Sequence, residues 1–207
     1  MVRRRFHPSA WSTLAAAAGI AATVALGFWQ FGRAQEKAAL VAARDAAATE
    51  RPVNLGQAPV EAARVEDRPV EARGTFVPNG LVLLDNRVRA GQAGYEVVMP
   101  LKLEGGDMHV LVNRGWVKGS GDRSQLPVVV TPPGAVHVVG LAVVPGKRIY
   151  ELSQAAPEGP VWQSLSLERY RARKSYALQP IMLQQTNDTG DGLLREWPTP
   201  ARSIRTH

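Results

Sequence analysis

The pattern of apolar and polar positions divides this chain into two regimes. Residues 10–31, AWSTLAAAAGIAATVALGFWQF, carry no charge. As a helix rising about 1.5 Å per residue, the run reaches about 33 Å, enough for a hydrocarbon core of about 30 Å. Trp11, Phe28, Trp29 and Phe31 stand at its ends, where interfacial aromatics belong. The pattern therefore predicts a transmembrane helix over 10–32, after a short N-terminal segment, 1–9. Helical pattern continues through RAQEKAALVAARDAAATE, with no Gly or Pro between Arg33 and Arg51, and Pro52 ends it. This predicts a solvated helical extension over 33–51.

After Pro52 the period shortens. Val- and Leu-rich runs broken by Gly, Pro, Asn and Asp predict strands at 69–76, 81–88, 95–103, 109–117, 135–144 and 180–185. Their spacing of roughly 10–14 residues predicts consecutive antiparallel hairpins in a small barrel or sandwich. SLERYRARKS, 166–175, is the one helical pattern in this part, and 145–160 predicts a long loop. The fold class predicted is α+β: an N-terminal transmembrane helix, then a mainly antiparallel β-barrel or sandwich-like domain over 52–207 with one short helix.

Charge sharpens the first regime. The formal net charge is +7, of which residues 1–37 carry +4 through Arg3, Arg4, Arg5, Arg33 and Lys37 against Glu36. The basic balance thus reports mainly on the flanks of the span. Arg3, Arg4 and Arg5 predict a cytoplasmic N-terminus and a domain on the far side, although Arg33, Lys37 and Arg44 weaken the asymmetry. A cleaved signal peptide is the rival reading, but its apolar region is ordinarily about 7–15 residues, shorter than this run. Arg3-Arg4-Arg5-Phe6 partly imitates a twin-arginine signal. A nucleic-acid partner is disfavoured, because aromatic content is 6% and no strand pattern interleaves basic and aromatic residues.

Candidate chemistry is sparse. The absence of cysteine excludes disulfides, thiol catalysis, iron–sulfur clusters and Cys-ligated zinc. There is no G-x-S-x-G, P-loop, H-E-x-x-H or G-x-G-x-x-G, so no enzyme and no metal site is predicted. Residues 187–192, NDTGDG, look loosely like a calcium loop but lack its ligand spacing, and read as a polar turn. None of the four histidines, His7, His109, His137 and His207, has a partner at ligand spacing. His109 and His137 read as packed or edge residues of strands. Asn-Arg recurs at the end of two predicted strands, Asn86-Arg87 and Asn113-Arg114, and a solvated arginine is its plainer reading. Trp116 after Gly115 reads as a core tryptophan beside a bulge glycine, against the alternative of a surface Arg–Trp patch that docks a partner.

Taken together, GFWQFGRAQEKAAL at 27–40, EARGTFVPNGLVLLDNRVRAGQAGYEVVMPLKL at 71–103, VLVNRGWV at 110–117 and the 161–186 region resemble the surfeit locus protein 1 family, in a bacterial-type member. Asn113-Arg114-Gly115-Trp116, after Gly94-Tyr95 and Pro100, is the most specific piece. The resemblance implies an assembly factor for haem–copper cytochrome c oxidase. It implies a bacterial cytoplasmic (inner) membrane location with the main domain facing the periplasm. Its implied partners are oxidase subunit I, other assembly factors and membrane lipid, and its implied cofactor is haem a, handed to subunit I. A cofactor-free periplasmic scaffolding protein that holds assembly intermediates is the alternative. The resemblance also implies a second C-terminal span following a histidine. His207, the last residue here, matches that histidine and is the candidate haem ligand, with Arg202 and Arg205 placed to pair with propionates. Arg87, Asn113, Arg114 and Trp116 are the candidate docking face for the oxidase subunit, or else hold the fold.

Overall fold

The computed structural model describes residues 10–48, 50–121, 125–146 and 159–197. They fall into a helical unit and a β-rich unit, with the division after Ala46. Helix α1 spans Ala10–Ala48, and within it Thr13–Glu36 is long and apolar enough to cross a membrane. Leu14, Ile20, Leu26, Phe28 and Phe31 all stand exposed on it. A helix that is apolar all round and not covered by protein suits lipid as its surroundings, so it fits membrane anchoring.

The second unit contains β1 (Val53–Leu55), α2 (Ala62–Val65), β2 (Pro69–Phe76), β3 (Val82–Arg89) and β4 (Gln92–Leu103). It continues with β5 (Met108–Lys118), β6 (Ala135–Val143), β7 (Val161–Trp162), α3 (Leu167–Arg173) and β8 (Ala177–Gln185). The predicted strands are present, with ends displaced by up to three residues. Helix α3 starts where the pattern predicted, because the Ser166 hydroxyl accepts the Arg169 N–H as its N-cap.

The sheet closes on itself in the order β2-β6-β8-β5-β4, and β4 returns to β2 through Gly74↔Leu103 to Phe76↔Leu101. Closure brings backbones very near each other. A Cβ on Gly74 would lie 2.0 Å from the Lys102 carbonyl oxygen, and one on Gly140 would lie 2.1 Å from that of Gln184. Only glycine fits such crossings. Strand β4 is long because its first half pairs with β3 and its last residues with β2.

The expectation of consecutive hairpins holds for β3–β4–β5 alone among the described strands. Strand β8 runs parallel beside β5, and β6 lies antiparallel between β2 and β8. Strands β1 and β7 also pair in parallel, with β2 and β3 respectively. At three and two residues, they are too short to show a period of their own.

Val70, Ala72, Phe76, Met99, Leu101, Val110, Val112, Val138, Ile181 and Leu183 fill the barrel. On the outer side Leu84, Val98, Leu111 and Met182 are covered by Trp162, Leu167 and Tyr170. Both faces of β5 are therefore buried, which is why VLV at its centre does not alternate with polar residues. The Tyr170 hydroxyl donates to the Gly80 carbonyl at 2.7 Å and ties α3 to the turn before β3. Desolvation of that buried hydroxyl pushes its pKa up.

Candidate functional site

The residues singled out on β5 owe their places to one bulge. On β5, Asn113 pairs with Val98 and Gly115 with Val97, so Arg114 is an extra residue opposite no partner. On a regular strand, residues three apart face opposite ways. The inserted residue reverses that alternation, so Asn113 and Trp116 share the outer face and Arg114 turns inward. Gly115 makes the kink possible, with φ +143°. A Cβ there would come within 2.8 Å of both Leu193 Cβ and the Leu194 carbonyl oxygen.

Arg114 continues the row Val110, Val112 into the end of the barrel, where its side chain is 0% exposed. Its guanidinium lies 4.5 Å from the Phe76 ring centroid. It donates to the Val130 carbonyl at 2.8 Å, to Thr131 Oγ1 at 3.4 Å and to Asp191 Oδ2 at 2.9 Å. Asp191 also accepts from Arg195 at 2.5 Å, from Thr189 Oγ1 at 3.0 Å and from the Leu193 N–H at 3.2 Å. Burial pushes the Asp191 carboxyl up, but the bonds from Arg195, Leu193 and Thr189 outweigh it and hold the group below the usual carboxylate range. Burial lowers the pKa of Arg114, and Asp191 opposes that shift without cancelling it. The guanidinium thus meets a carboxylate, a carbonyl and a hydroxyl through its two terminal nitrogens, while its buried Nε lacks a hydrogen-bond partner; its surroundings are those of a structural ion.

The outer face holds a different cluster. Glu96 accepts from Arg89 at 3.0 Å and from Asn113 Nδ2 at 3.0 Å, and its carboxylate lies 3.6 Å from Arg87 Nε. The Trp116 indole N–H donates to the Arg87 carbonyl at 2.8 Å, and its ring fills the space above Gly94 where a side chain would stand. Trp116 is 5% exposed and Asn113 2%. Of the four residues read from the sequence as a docking face, Arg87 is the one with substantial exposure, 32% of its side chain. Asn113, Arg114 and Trp116 belong to the framework, because the bulge seals them between strands. Sequence reading missed Glu96, Arg89 and Asp191. NDTGDG did read as a turn, but nothing local marks its last Asp as the partner of an arginine 77 residues away.

His207 lies outside the described residues, as do Arg202, Arg205 and His7. The two described histidines do not fit a haem. His109 is buried and stacked on Tyr176 at 4.6 Å between centroids, which occupies its face. His137 lies on the outer side of β6, with its Nε2 2.9 Å from the Glu71 carboxylate, which occupies that ring nitrogen. Among the described residues no group of three or more His, Cys, Asp or Glu is placed to hold a metal ion.

Comparison with known proteins supplies the context. The model of the SURF1 family matches residues 17–207. A SURF1-like protein of Monosiga brevicollis is 32% identical over 174 residues, covering 79% of this chain and 66% of its own length. A SURF1-like protein of Rickettsia felis is 29% identical, covering 70% of this chain and 62% of its own. The cytochrome oxidase assembly protein SHY1 of Saccharomyces cerevisiae is 28% identical over 173 residues, covering 80% of this chain and 44% of its own. The matched stretches span from 44% to 66% of the length of these curated relatives.

Proposed function

Because this chain belongs to the SURF1 family, we propose that it is a membrane-anchored assembly factor for haem–copper cytochrome c oxidase, assisting the binding of haem a and its insertion into subunit I. The observation that carries this reading is the match, over 80% of the chain, to a yeast protein named for cytochrome oxidase assembly. Two features of the molecule agree with such a role. Helix α1 offers an apolar stretch, Thr13–Glu36, that would keep the β-unit close to a membrane. Arg3, Arg4 and Arg5 before the span favour retention of the N-terminus in the cytoplasm, with the barrel on the periplasmic side. Partners are then oxidase subunit I and other assembly factors, alongside lipid.

The barrel's own part is positional. Its closed sheet and buried Arg114–Asp191 pair hold the β3–β5 face rigid. A donor of an apolar cofactor must also release it, so modest affinity suffices for transfer. Haem a is held, in this proposal, through His207, with Arg202 and Arg205 available to its propionates.

The test is an absorption spectrum of the protein purified from membranes of cells that make haem a. Haem a bands that disappear in His207→Ala, with a parallel fall in oxidase haem content, are the expected result. A colourless protein that still co-purifies with subunit I would replace haem handling by the cofactor-free scaffolding role. Normal oxidase in cells lacking the protein would remove the assembly role altogether.

A further inference from the structure

We propose that the end of the barrel carrying Leu126, Val128 and Val130 is a lipid-contact surface that dips into the boundary between headgroups and acyl chains. Among the described residues of the β-unit, the large apolar side chains left exposed are Val88, Leu126, Val128, Val130 and Leu194, with Val128 at 90%. All five lie on segments fastened to the last residues of β5 or the turn after it. The Trp116 indole N–H donates to the Arg87 carbonyl beside Val88, and Trp116 pairs with Leu194. Arg114 donates to the Val130 carbonyl, and the Ser120 hydroxyl donates to the Gln125 carbonyl beside Leu126. At the opposite end of the same strands stand the turn Glu104-Gly105-Gly106-Asp107 and the Lys102–Asp107 ion pair. The exposed apolar side chains are thus gathered at one end of the barrel.

The chemistry of this segment favours lipid as the occupant. Residues 124–146 include no Asp, Glu, Lys or Arg, so contact with an apolar medium strips water from no charge there. Exposure alternates along the segment: Leu126, Val128 and Val130 stand out, while Pro127 and Val129 are half-buried, Val129 against the core. The three exposed side chains therefore form one row. That row is a poor edge for a partner strand, because Pro127, Pro132 and Pro133 have no N–H to give to a ladder. The same missing donors lower the cost of bringing this backbone to the edge of a bilayer. A folded protein partner also suits it less well, since Leu and Val are under-represented among the side chains that anchor protein interfaces. Helix α1 supplies the bilayer. Its apolar stretch, Thr13–Glu36, tethers the β-unit to a membrane, so the row adds to an existing attachment and needs only weak affinity. The inference rests on that anchoring and is independent of the oxidase reading.

The chain has no cysteine, so a single nitroxide label can be placed through Val128→Cys, or through Asp107→Cys at the opposite end as the control. The full chain is reconstituted in phosphatidylcholine vesicles. Spin-label power saturation then compares access of oxygen, which concentrates in lipid, with access of a water-soluble nickel chelate. The label at 128 should favour oxygen, and the label at 107 should favour the chelate. Adding Leu126→Asp and Val130→Asp to the chain labelled at 128 should bring its ratio down to that of the control. Both side chains are exposed, so that variant should melt as the parent does. A label at 128 that favours the chelate, in a chain that resists carbonate extraction, overturns the proposal. An unchanged ratio in the variant with both aspartates overturns it too. Spin–spin broadening at 128 that disappears on dilution with unlabelled chain would assign the row to a second copy instead of lipid. A chain that carbonate extracts from the vesicles refutes anchoring by α1, and the lipid contact with it.

Discussion

Arg87 and Arg114 each follow an asparagine near the end of a β-strand, yet the fold uses them in opposite ways. Arg114 is the extra residue of a bulge on β5 and is driven into the barrel end against Phe76 and Asp191. Arg87 follows the irregularity on β3, where Asn86 takes a left-handed conformation at φ 59°, and its head remains on the surface. Both dipeptides mark a bulge across from β4, but in one the arginine is the inserted residue and in the other it resumes the ladder. A dipeptide therefore carries no fixed role; its phase relative to the bulge assigns it.

The largest expected effect breaks the buried side of that comparison. Arg114→Ala leaves the Asp191 carboxylate without its barrel-end partner in a site closed to water. This should cost about 3–5 kcal/mol and lower the melting temperature of the β-unit by about 10 °C. A change below about 1 kcal/mol would mean that Arg195 alone satisfies Asp191.

Gly115→Ala comes next, because it removes the means of making the bulge. The residue would have to hold φ +143° with its new Cβ 2.8 Å from Leu193 and Leu194. A loss of about 1–3 kcal/mol is expected in chemical denaturation, with an m-value like the parent's.

Acid sharpens the same pair. Asp191 has a folded pKa below its unfolded value, so it binds protons less readily in the native state. Its contribution is complete above about pH 4 and is lost as pH falls from there through the lower folded value. Asp191→Asn should reduce stability at neutral pH and flatten the acid limb of a stability–pH curve. An unchanged acid limb would assign that slope to other carboxylates.

The smallest expected effect is on the exposed side. Arg87→Ala removes a half-buried head 3.6 Å from Glu96, while the backbone carbonyl that holds Trp116 remains. Its melting curve should stay within about 0.5 kcal/mol of the parent. A loss near that of Arg114→Ala would erase the distinction between the two arginines.

Much of the architecture was legible in local pattern. The uncharged run before Arg33 marks the span, and β2 appears at Pro69–Phe76, the range predicted. Ser166 announces α3, and the glycines and prolines between runs announce the turns. The candidate site was legible only in part. Asn113, Arg114 and Trp116 stood out by the recurring Asn-Arg dipeptide and by the family resemblance, and reading Trp116 as a core residue beside a bulge glycine matches its burial. These three do not form one exposed surface: Asn113 and Trp116 face outward under neighbours and Arg114 faces inward, in keeping with the alternative that they hold the fold.

What the sequence determined by itself is the list of elements and their order, because periodicity, capping and turn chemistry act over a few residues. What only the tertiary structure decided is which edges meet: β8 beside β5, β6 beside β2, and β4 closing on β2. It also decided that one inserted residue on β5 would send Arg114 to Asp191 and leave Trp116 above Gly94. Those outcomes depend on strand register and on partners far away in the chain. A one-residue shift in register exchanges the two faces of a strand, and no local window of sequence contains that information.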